Sequence, residues 1–206
     1  MFPIHEYIPT DKARIGVFVS GGWDSAVLWY LVKSYCEGSG QEAIPFTVPK
    51  IDGAEYHSKV VVDTINTLLD CDLQTPIIVG DWYDGPDTSM YVKAGAWQTF
   101  NKKLCDWQLF GMTKHSDKVH ELHTRQDPVD RPNPSEEERK HAAWPFENMT
   151  KDETVNLGFQ LGIGDIIAKV THSCTELDRG RCGECYWCTE RAWAFSENNL
   201  EDKGKE

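Results

Sequence analysis

The chain has 206 residues, of which 40% are hydrophobic and 11% aromatic, a composition that predicts one globular domain with room for a small appendage. Its formal net charge of −12 argues against a nucleic-acid partner, because an acidic protein repels phosphate backbones. The sequence has no run of about 18 apolar residues, which argues against a membrane span. Its amino terminus does not resemble a signal peptide, so we expect a cytoplasmic protein.

In chain order, strands and helices alternate through the first half of the sequence. The predicted strands cover residues 15–20, 43–49, 75–81 and 107–114. The predicted helices cover residues 24–36, 54–70 and 89–105. This alternation is typical of an α/β fold, in which helices cover both faces of a parallel sheet.

The second half of the sequence is more polar before it returns to helical spacing. Residues 118–145 are charged and contain prolines, which predicts a long loop or lid, either disordered or covering an active site. Thr150 and Glu153 have the spacing of a capping box and predict the start of a helix. The polar residues 199–206 predict a frayed tail.

The sequence SGGWDS, residues 20–25, lies between the first predicted strand and helix. Gly21 and Gly22 allow an anion to approach the backbone N–H groups, and the helix amino terminus adds a partial positive charge. The hydroxyls of Ser20 and Ser25 can donate hydrogen bonds to the same anion. Asp24 would cap the loop amides or help hold Mg²⁺ between phosphate oxygens. The loop therefore predicts a phosphate-binding site.

Lys151 is the candidate for a second phosphate contact. It occupies the first turn of the predicted helix after Thr150, where a cation is unfavourable unless an anion is bound nearby. The alternative interpretation is an exposed surface lysine.

Four cysteines lie close together near the carboxyl end: Cys174, Cys182, Cys185 and Cys188. Their C-x7-C-x2-C-x2-C spacing suits a tetrahedral Zn²⁺ site with no open coordination position, which would be structural. An iron–sulfur cluster or metal-free redox cysteines are the alternatives.

SGGWDS resembles the SGGxDS loop (the PP-loop) of the ATP pyrophosphatase superfamily. The segment MTKDETVNLGFQLGI resembles a helix of the 7-cyano-7-deazaguanine synthase family, of the type TKAEIVKLGLELGV. The carboxyl-terminal part resembles that family's pattern T-x-S-C … C-G-x-C-x-x-C-x-x-R-x-x-A-F. The matching positions are Thr171, Ser173, Cys174, Cys182, Gly183, Cys185, Cys188, Arg191, Ala194 and Phe195.

The resemblance implies a Rossmann-like, adenine nucleotide alpha hydrolase-like domain over residues 1–170 and a zinc knuckle over residues 171–198. It also implies that ATP adenylates the carboxylate of 7-carboxy-7-deazaguanine, that ammonia attacks, and that a second ATP drives dehydration of the amide to the nitrile. The cofactors would be ATP, Mg²⁺ and Zn²⁺, and a homodimer is expected because the family often pairs.

The resemblance also implies roles for individual residues. The phosphates would contact Ser20, Gly21, Gly22, Asp24 and Ser25. The implied catalytic residues are Asp24, Lys151 and Arg191. Arg191 would either reach the active site or form a salt bridge within the zinc knuckle.

Two segments that line the base-binding side of the pocket in that family differ here, so the sequence leaves the substrate open. They read SMYVKAGAWQT and GMTKHSDKVHELHTRQDPVDRP. Asp117 or Asp127 could replace a base-reading carboxylate, and two of the histidines 115, 120 and 123 could bind a metal or phosphate. All of these residues could instead be solvated. Tryptophans 82, 97, 107 and 144 favour core or subunit contacts over base stacking.

Three other functions fit the loop. A phosphoadenylylsulfate (PAPS) reductase shares its ancestry but normally carries a different redox-cysteine sequence. A tRNA thiolation enzyme is disfavoured by the net negative charge. A nucleotide-binding or sensing module without catalysis is the third.

Overall fold

The computed structural model describes residues 2–49, 54–80, 88–122 and 134–204. Within them, five short strands form one sheet in the order β3-β2-β1-β4-β5, and every neighbouring pair is parallel. The strands are β1 (Arg14–Phe18), β2 (Glu42–Thr47), β3 (Ile77–Ile78), β4 (Trp107–Phe110) and β5 (Ala142–Ala143). The predicted parallel α/β fold is confirmed.

Helices connect these strands and continue after the last one. They are α1 (Trp23–Ser39), α2 (Ala54–Leu68), α3 (Thr88–Asn101), α4 (Asp117–Leu122), α5 (Lys151–Gln160), α6 (Gly164–Val170) and α7 (Tyr186–Glu197). Short 3-10 helices occupy Ile4–Tyr7 and Glu138–Lys140. None of the helices in the described part of the chain is long and apolar enough to cross a membrane.

The central strand β1 is buried on both faces of the sheet. Ile15 and Val17 point into the larger core, which α1 and the carboxyl-terminal helices share. Phe18 points the other way, into a smaller core against which α3 packs. This arrangement explains why β1 reads as an almost continuous apolar run, as strands covered on both sides do.

The strand order reverses beside β1, and this reversal determines where the site lies. The chain places β2 and β3 on one side of β1, then returns through α3 to place β4 on the other side. In open parallel sheets, ligands bind at the carboxyl ends of the strands where the order reverses. Residues 20–25 follow β1 at this point, and Gly111 follows β4. A Cβ on Gly111 would come within 3.0 Å of the Asp24 backbone, so the two strand ends are in close contact.

The prediction of a loop or lid over residues 118–145 is wrong for its last part. Ala142 and Ala143 pair with β4 as the edge strand β5, and Trp144 is buried in the smaller core. A strand of two alanines is too short to show an alternating pattern in the sequence. Residues 123–133 of the predicted lid lie outside the described residues.

The tail is packed rather than frayed over residues 199–204. Leu200 packs against the main core and Asp202 is only 4% exposed. Sequence polarity was misleading here, because the acidic side chain pairs with Arg191 and Arg181, which lie 11 and 21 positions earlier in the chain. Residues 205 and 206 lie outside the description.

Gly158 in α5 should not tolerate a methyl group. Its Cβ would lie 2.7 Å from the buried Trp23 ring, so we expect Gly158→Ala to lower the free energy of unfolding by about 1–3 kcal/mol. Gly38 in α1 is the matched control, because a Cβ there has no neighbour within 4 Å. Gly38→Ala should raise stability by about 0.5–1 kcal/mol. Urea unfolding measures both, and equal effects of the same sign would contradict the proposed packing.

Candidate functional site

Hydrogen bonds of Ser20 and Ser25 fix the conformation of the PP-loop, residues 20–25. Ser25 donates from its hydroxyl to the Gly22 carbonyl at 3.0 Å and accepts from the Ser20 N–H at 3.2 Å. Gly21 adopts a φ of +86°, and a Cβ there would lie 2.4 Å from the His57 Cβ. Only glycine therefore fits at position 21, because both the backbone conformation and the neighbouring helix α2 exclude a side chain.

Several main-chain N–H groups of this loop have no acceptor among the described residues. Within the described part of the chain, the N–H groups of Gly21, Trp23 and Asp24 donate to no other group. Gly22 precedes the 17-residue helix α1, and its N–H makes only a long bond of 3.4 Å to the Ser20 hydroxyl. Free amides at a helix amino terminus form an electropositive site that suits a phosphate.

Trp23, the variable residue of SGGxDS, fixes this loop to the carboxyl-terminal half. Its side chain is fully buried, and its indole N–H donates to the Thr154 carbonyl at 2.9 Å. Its ring stacks on Phe159 and meets Phe195 edge to face. Because α5 and α7 supply these contacts, the position of the loop depends on residues more than 130 positions away.

Asp24 and Lys151 form a buried ion pair that the sequence does not predict. One Asp24 carboxylate oxygen accepts from the Lys151 ammonium and the other accepts from the Thr154 hydroxyl at 2.7 Å. Asp24 and Lys151 are 7% and 8% exposed. The anion that a lysine in the first turn of a helix requires is therefore supplied by the PP-loop itself. The capping box of α5 is confirmed, with the Glu153 carboxylate accepting from the Thr150 N–H at 2.7 Å.

Glu190 is a further acidic residue at this site that the sequence analysis missed. Its carboxylate lies 3.5 Å from the Lys151 ammonium, and the residue is 1% exposed. Asp24, Lys151 and Glu190 together carry one net negative charge in ionised form. Only tertiary contact reveals this residue, since its place between Cys188 and Arg191 carries no sequence signal of its own.

Arg191 was predicted as a catalytic candidate, and the structure instead gives it a structural position. It is 1% exposed and donates to both Asp202 carboxylate oxygens, at 2.9 and 3.1 Å. Its other donors contact the Thr171 hydroxyl at 2.7 Å and the Ala168 carbonyl at 2.9 Å. These contacts use the guanidinium donors inside the protein, as the salt-bridge alternative expects, and the catalytic role of Arg191 stays a prediction.

Asp202 compensates the charge of two arginines. Its carboxylate also accepts from both terminal nitrogens of Arg181. Burial by itself raises the pKa of Asp202, but the hydrogen bonds from Arg191 and Arg181 outweigh it and bring the pKa below its ordinary value. For Arg191, burial lowers the pKa, against the opposing effect of the hydrogen bond to Asp202.

The four predicted cysteine ligands meet at one point. The sulfur atoms of Cys174, Cys182, Cys185 and Cys188 lie within 4.8 Å of one another. Tetrahedral Zn–S bonds of about 2.3 Å would place the sulfurs about 3.8 Å apart, so the cluster fits a zinc knuckle with small adjustments.

The turn at Cys182 has the features of a metal-binding knuckle. The N–H groups of Glu184 and Cys185 point at the Cys182 sulfur, at 3.4 and 3.2 Å. Gly183 supplies the positive φ of +77° that the turn requires. A hydrogen bond from the Cys188 thiol lowers the pKa of Cys185 and raises the pKa of Cys188, because the pair holds one proton between two sulfurs.

Cysteines outside this cluster are poor nucleophiles. Burial raises the pKa of both Cys36 and Cys105 to about 11. A thiol with such a pKa is almost entirely protonated at neutral pH.

Two stacked histidines connect the PP-loop to the segment that carries the cysteines. The rings of His57 and His172 lie 4.0 Å apart with 4° between their planes. Their Nε2 atoms lie at hydrogen-bond distance from the carbonyls of Asp178 and Leu177 respectively. The His172 N–H also donates to the Gly21 carbonyl at 2.9 Å. The phosphate loop and the cysteine loop therefore share this contact.

The remaining candidates from the sequence are the histidines, the two aspartates and the tryptophans. His115 and His120 lie 5.6 Å apart by ring centroid, and His115 Nδ1 lies 2.6 Å from the Tyr186 hydroxyl, so these two histidines are packed side by side. Asp117 begins α4, and Trp107 donates to the Tyr7 carbonyl. Trp97 is 71% exposed and Trp144 is buried. His123, Asp127 and Trp82 lie outside the described residues.

Comparison with known proteins places a similarity in the carboxyl-terminal third. The family model "Queuosine biosynthesis protein QueC" matches residues 129–199. The 7-cyano-7-deazaguanine synthases of Rickettsia bellii strains OSU 85-389 and RML369-C are each 42% identical to this chain over 60 residues. That match covers 28% of this chain and 25% of those proteins, so it spans about a quarter of the relatives' length.

Solved structures also resemble this chain, and one of them is a tRNA thiolase. The U34-tRNA thiolase NcsA from Methanococcus maripaludis, with its 4Fe-4S cluster, is 15% identical. It covers 90% of this chain and 64% of its own, with a TM-score of 0.49.

The sequence resemblance to the 7-cyano-7-deazaguanine synthase (QueC) family is confirmed by these matches. The family match contains all four cysteines, together with Lys151, Glu190 and Arg191.

Removing the buried cation should be costly. Lys151→Met leaves Asp24 and Glu190 as two buried carboxylates without their shared ammonium, and we expect a loss of about 3–5 kcal/mol in unfolding free energy. Asp24→Asn in the same chain should restore part of that loss. Lys140→Met, which breaks the exposed pair with Glu137, is the control and should not change the midpoint measurably. Equal midpoints for the variants at positions 151 and 140 would show that the buried pair does not stabilise the fold.

Proposed function

We propose that this chain is an ATP-dependent enzyme that binds the triphosphate at the PP-loop and activates a carboxylate. The observation that carries the proposal is the set of free main-chain N–H groups at the carboxyl end of β1, at the point where the strand order reverses. The similarity to 7-cyano-7-deazaguanine synthases suggests 7-carboxy-7-deazaguanine as the substrate and ammonia as the nitrogen donor.

In the proposed reaction, a carboxylate oxygen attacks the α-phosphorus of ATP and pyrophosphate leaves. Ammonia then attacks the acyl carbon, AMP leaves, and the amide forms after loss of a proton. The amide oxygen then attacks the α-phosphorus of a second ATP and releases a second pyrophosphate, and loss of AMP and two protons gives the nitrile. Activation is required because a carboxylate oxygen is a poor leaving group, whereas AMP is a good one.

The chain's own residues would act mainly on the departing pyrophosphate. The N–H groups of Gly21, Gly22 and Trp23 would donate to its oxygens and offset the charge that develops there. The Lys151 ammonium lies beside the loop on Asp24, and we propose that it exchanges this carboxylate for phosphate when ATP binds. Mg²⁺, when bound, would neutralise phosphate charge, and Asp24 is the loop carboxylate that could then ligate it.

The cysteine cluster is proposed to hold one structural Zn²⁺. Four thiolates close the coordination shell, so the ion would have no position for substrate. Its proposed role is to fix residues 171–188 against the PP-loop, where His172 contacts Gly21.

Turnover distinguishes this proposal from the alternatives. With ATP, 7-carboxy-7-deazaguanine and ammonia, we expect pyrophosphate and AMP to be released and the nitrile to appear by mass spectrometry. ATP binding without any product would support a nucleotide-binding module instead. Sulfite released from PAPS with a thiol donor would support a reductase.

Two neighbouring glycines allow the phosphate site to be tested separately from folding. A methyl on Gly22 would have no neighbour closer than 3.5 Å, so Gly22→Ala should fold normally yet weaken ATP binding by about tenfold or more, because the methyl occupies the phosphate approach. Gly21→Ala is the contrasting variant and should destabilise the fold itself. Calorimetry and circular dichroism measure both effects. If Gly22→Ala bound ATP as tightly as the unchanged chain, phosphate would not approach this amide.

Metal removal tests the zinc assignment. Elemental analysis should give one zinc per chain, and a strong chelator should lower the midpoint of thermal unfolding, because binding to the folded state stabilises it. Cys182→Ser should lower the zinc content, whereas Cys71→Ser, outside the cluster, should leave it unchanged. Iron in place of zinc, with visible absorption, would instead support a cluster.

A further inference from the structure

The segment that ends the described chain makes an unusual buried contact. Asp202 lies three residues beyond the last position that the QueC family model matches, in a polar stretch. It is nevertheless 4% exposed and accepts hydrogen bonds from two guanidinium groups, those of Arg181 and Arg191. A buried carboxylate with two arginine partners compensates charges that would otherwise repel each other inside the protein.

Both arginines belong to the chain segments that carry the cysteines. Arg181 immediately precedes Cys182, in the loop between α6 and α7. Arg191 lies on α7, one helical turn after Cys188, and also donates to the Thr171 hydroxyl and carbonyl at 2.7 and 3.2 Å.

Thr171 lies three residues before Cys174, so the contacts of the two arginines reach all three segments that carry cysteine ligands. The loop before Cys182, the helix with Cys188 and the stretch before Cys174 are joined through the two arginines to one carboxylate. Gly204 completes the contact, because its N–H donates to the Asp202 carboxylate at 3.3 Å.

We propose that Asp202 is a positioning residue for the four-cysteine metal site and that residues 199–204 hold the ligand segments in their binding arrangement. This inference rests on the proposed zinc site. Asp202 does not contact a sulfur atom itself. It fixes the guanidinium groups of Arg181 and Arg191, and these two arginines lie in, or contact, the segments that carry the cysteines. Residues that hold metal ligands in place increase the affinity of the site, because the ligands are oriented before the metal arrives.

The test compares two variants of the full chain at adjacent positions. Asp202→Asn keeps the shape of the side chain but removes its charge, and we expect its zinc dissociation constant to rise about 10- to 100-fold. Lys203→Gln is the control, since Lys203 pairs with Asp165 at 2.8 Å on the surface, and its dissociation constant should not change. Competition with a chromophoric chelator measures both, and thermal unfolding of the zinc-free chains is followed in parallel.

The outcomes separate the two proposals. If the unchanged chain binds no zinc, the proposed metal site fails, and the result reports on that proposal alone. If the unchanged chain binds zinc and Asp202→Asn binds it equally tightly, the role of Asp202 is overturned. A lower unfolding midpoint of the zinc-free variant with unchanged zinc affinity also overturns it, because that result describes a merely structural residue.

A second variant covers the case in which Asp202→Asn does not fold. Arg181→Lys keeps the positive charge but loses the two-point contact with the carboxylate. We expect weaker zinc binding here too, by a smaller factor. Unchanged affinity in Arg181→Lys would overturn the proposal.

Discussion

The buried pair between Asp24 and Lys151 is the constraint on which the site depends. It joins the PP-loop, at the carboxyl end of the central strand β1, to the first turn of α5, and Thr154 completes the contact with the same carboxylate. A buried ion pair stabilises the fold only when both partners are held in place, because each charge alone would be costly to bury. The pair thus ties the loop conformation to the carboxyl-terminal third.

The carboxyl-terminal pattern acquires a physical meaning in the structure. Its threonine and arginine contact each other, since Arg191 donates to the Thr171 hydroxyl and carbonyl. The same guanidinium lies 5.7 Å from the centre of the Trp23 ring, which belongs to the PP-loop. The arginine of the pattern therefore packs the cysteine-bearing segment against the loop, and the motif describes a contact between two parts of the molecule.

Similarity is unevenly distributed along the chain. The family match covers residues 129–199, which carry the four cysteines, Lys151 and Arg191. Residues 20–25 lie outside that match, so the loop after β1 is supported by its own sequence pattern and by its place in the sheet.

The sequence alone determined the features that depend on local pattern. The alternation of apolar residues gave the parallel sheet, the SGGWDS sequence located the loop after β1, and the cysteine spacing identified four ligands that meet within 4.8 Å. These signals are local because backbone conformation and ligand spacing are set by neighbours in the chain.

Only the tertiary structure decided which charged groups meet. It brings Lys151 to Asp24 across 127 positions in the sequence and places Glu190 beside them. It also pairs Arg191 with Asp202 and adds the edge strand β5. The reason is that burial of a charge depends on a partner brought from elsewhere by packing, and neither the partner nor the packing leaves a periodic signal in the sequence.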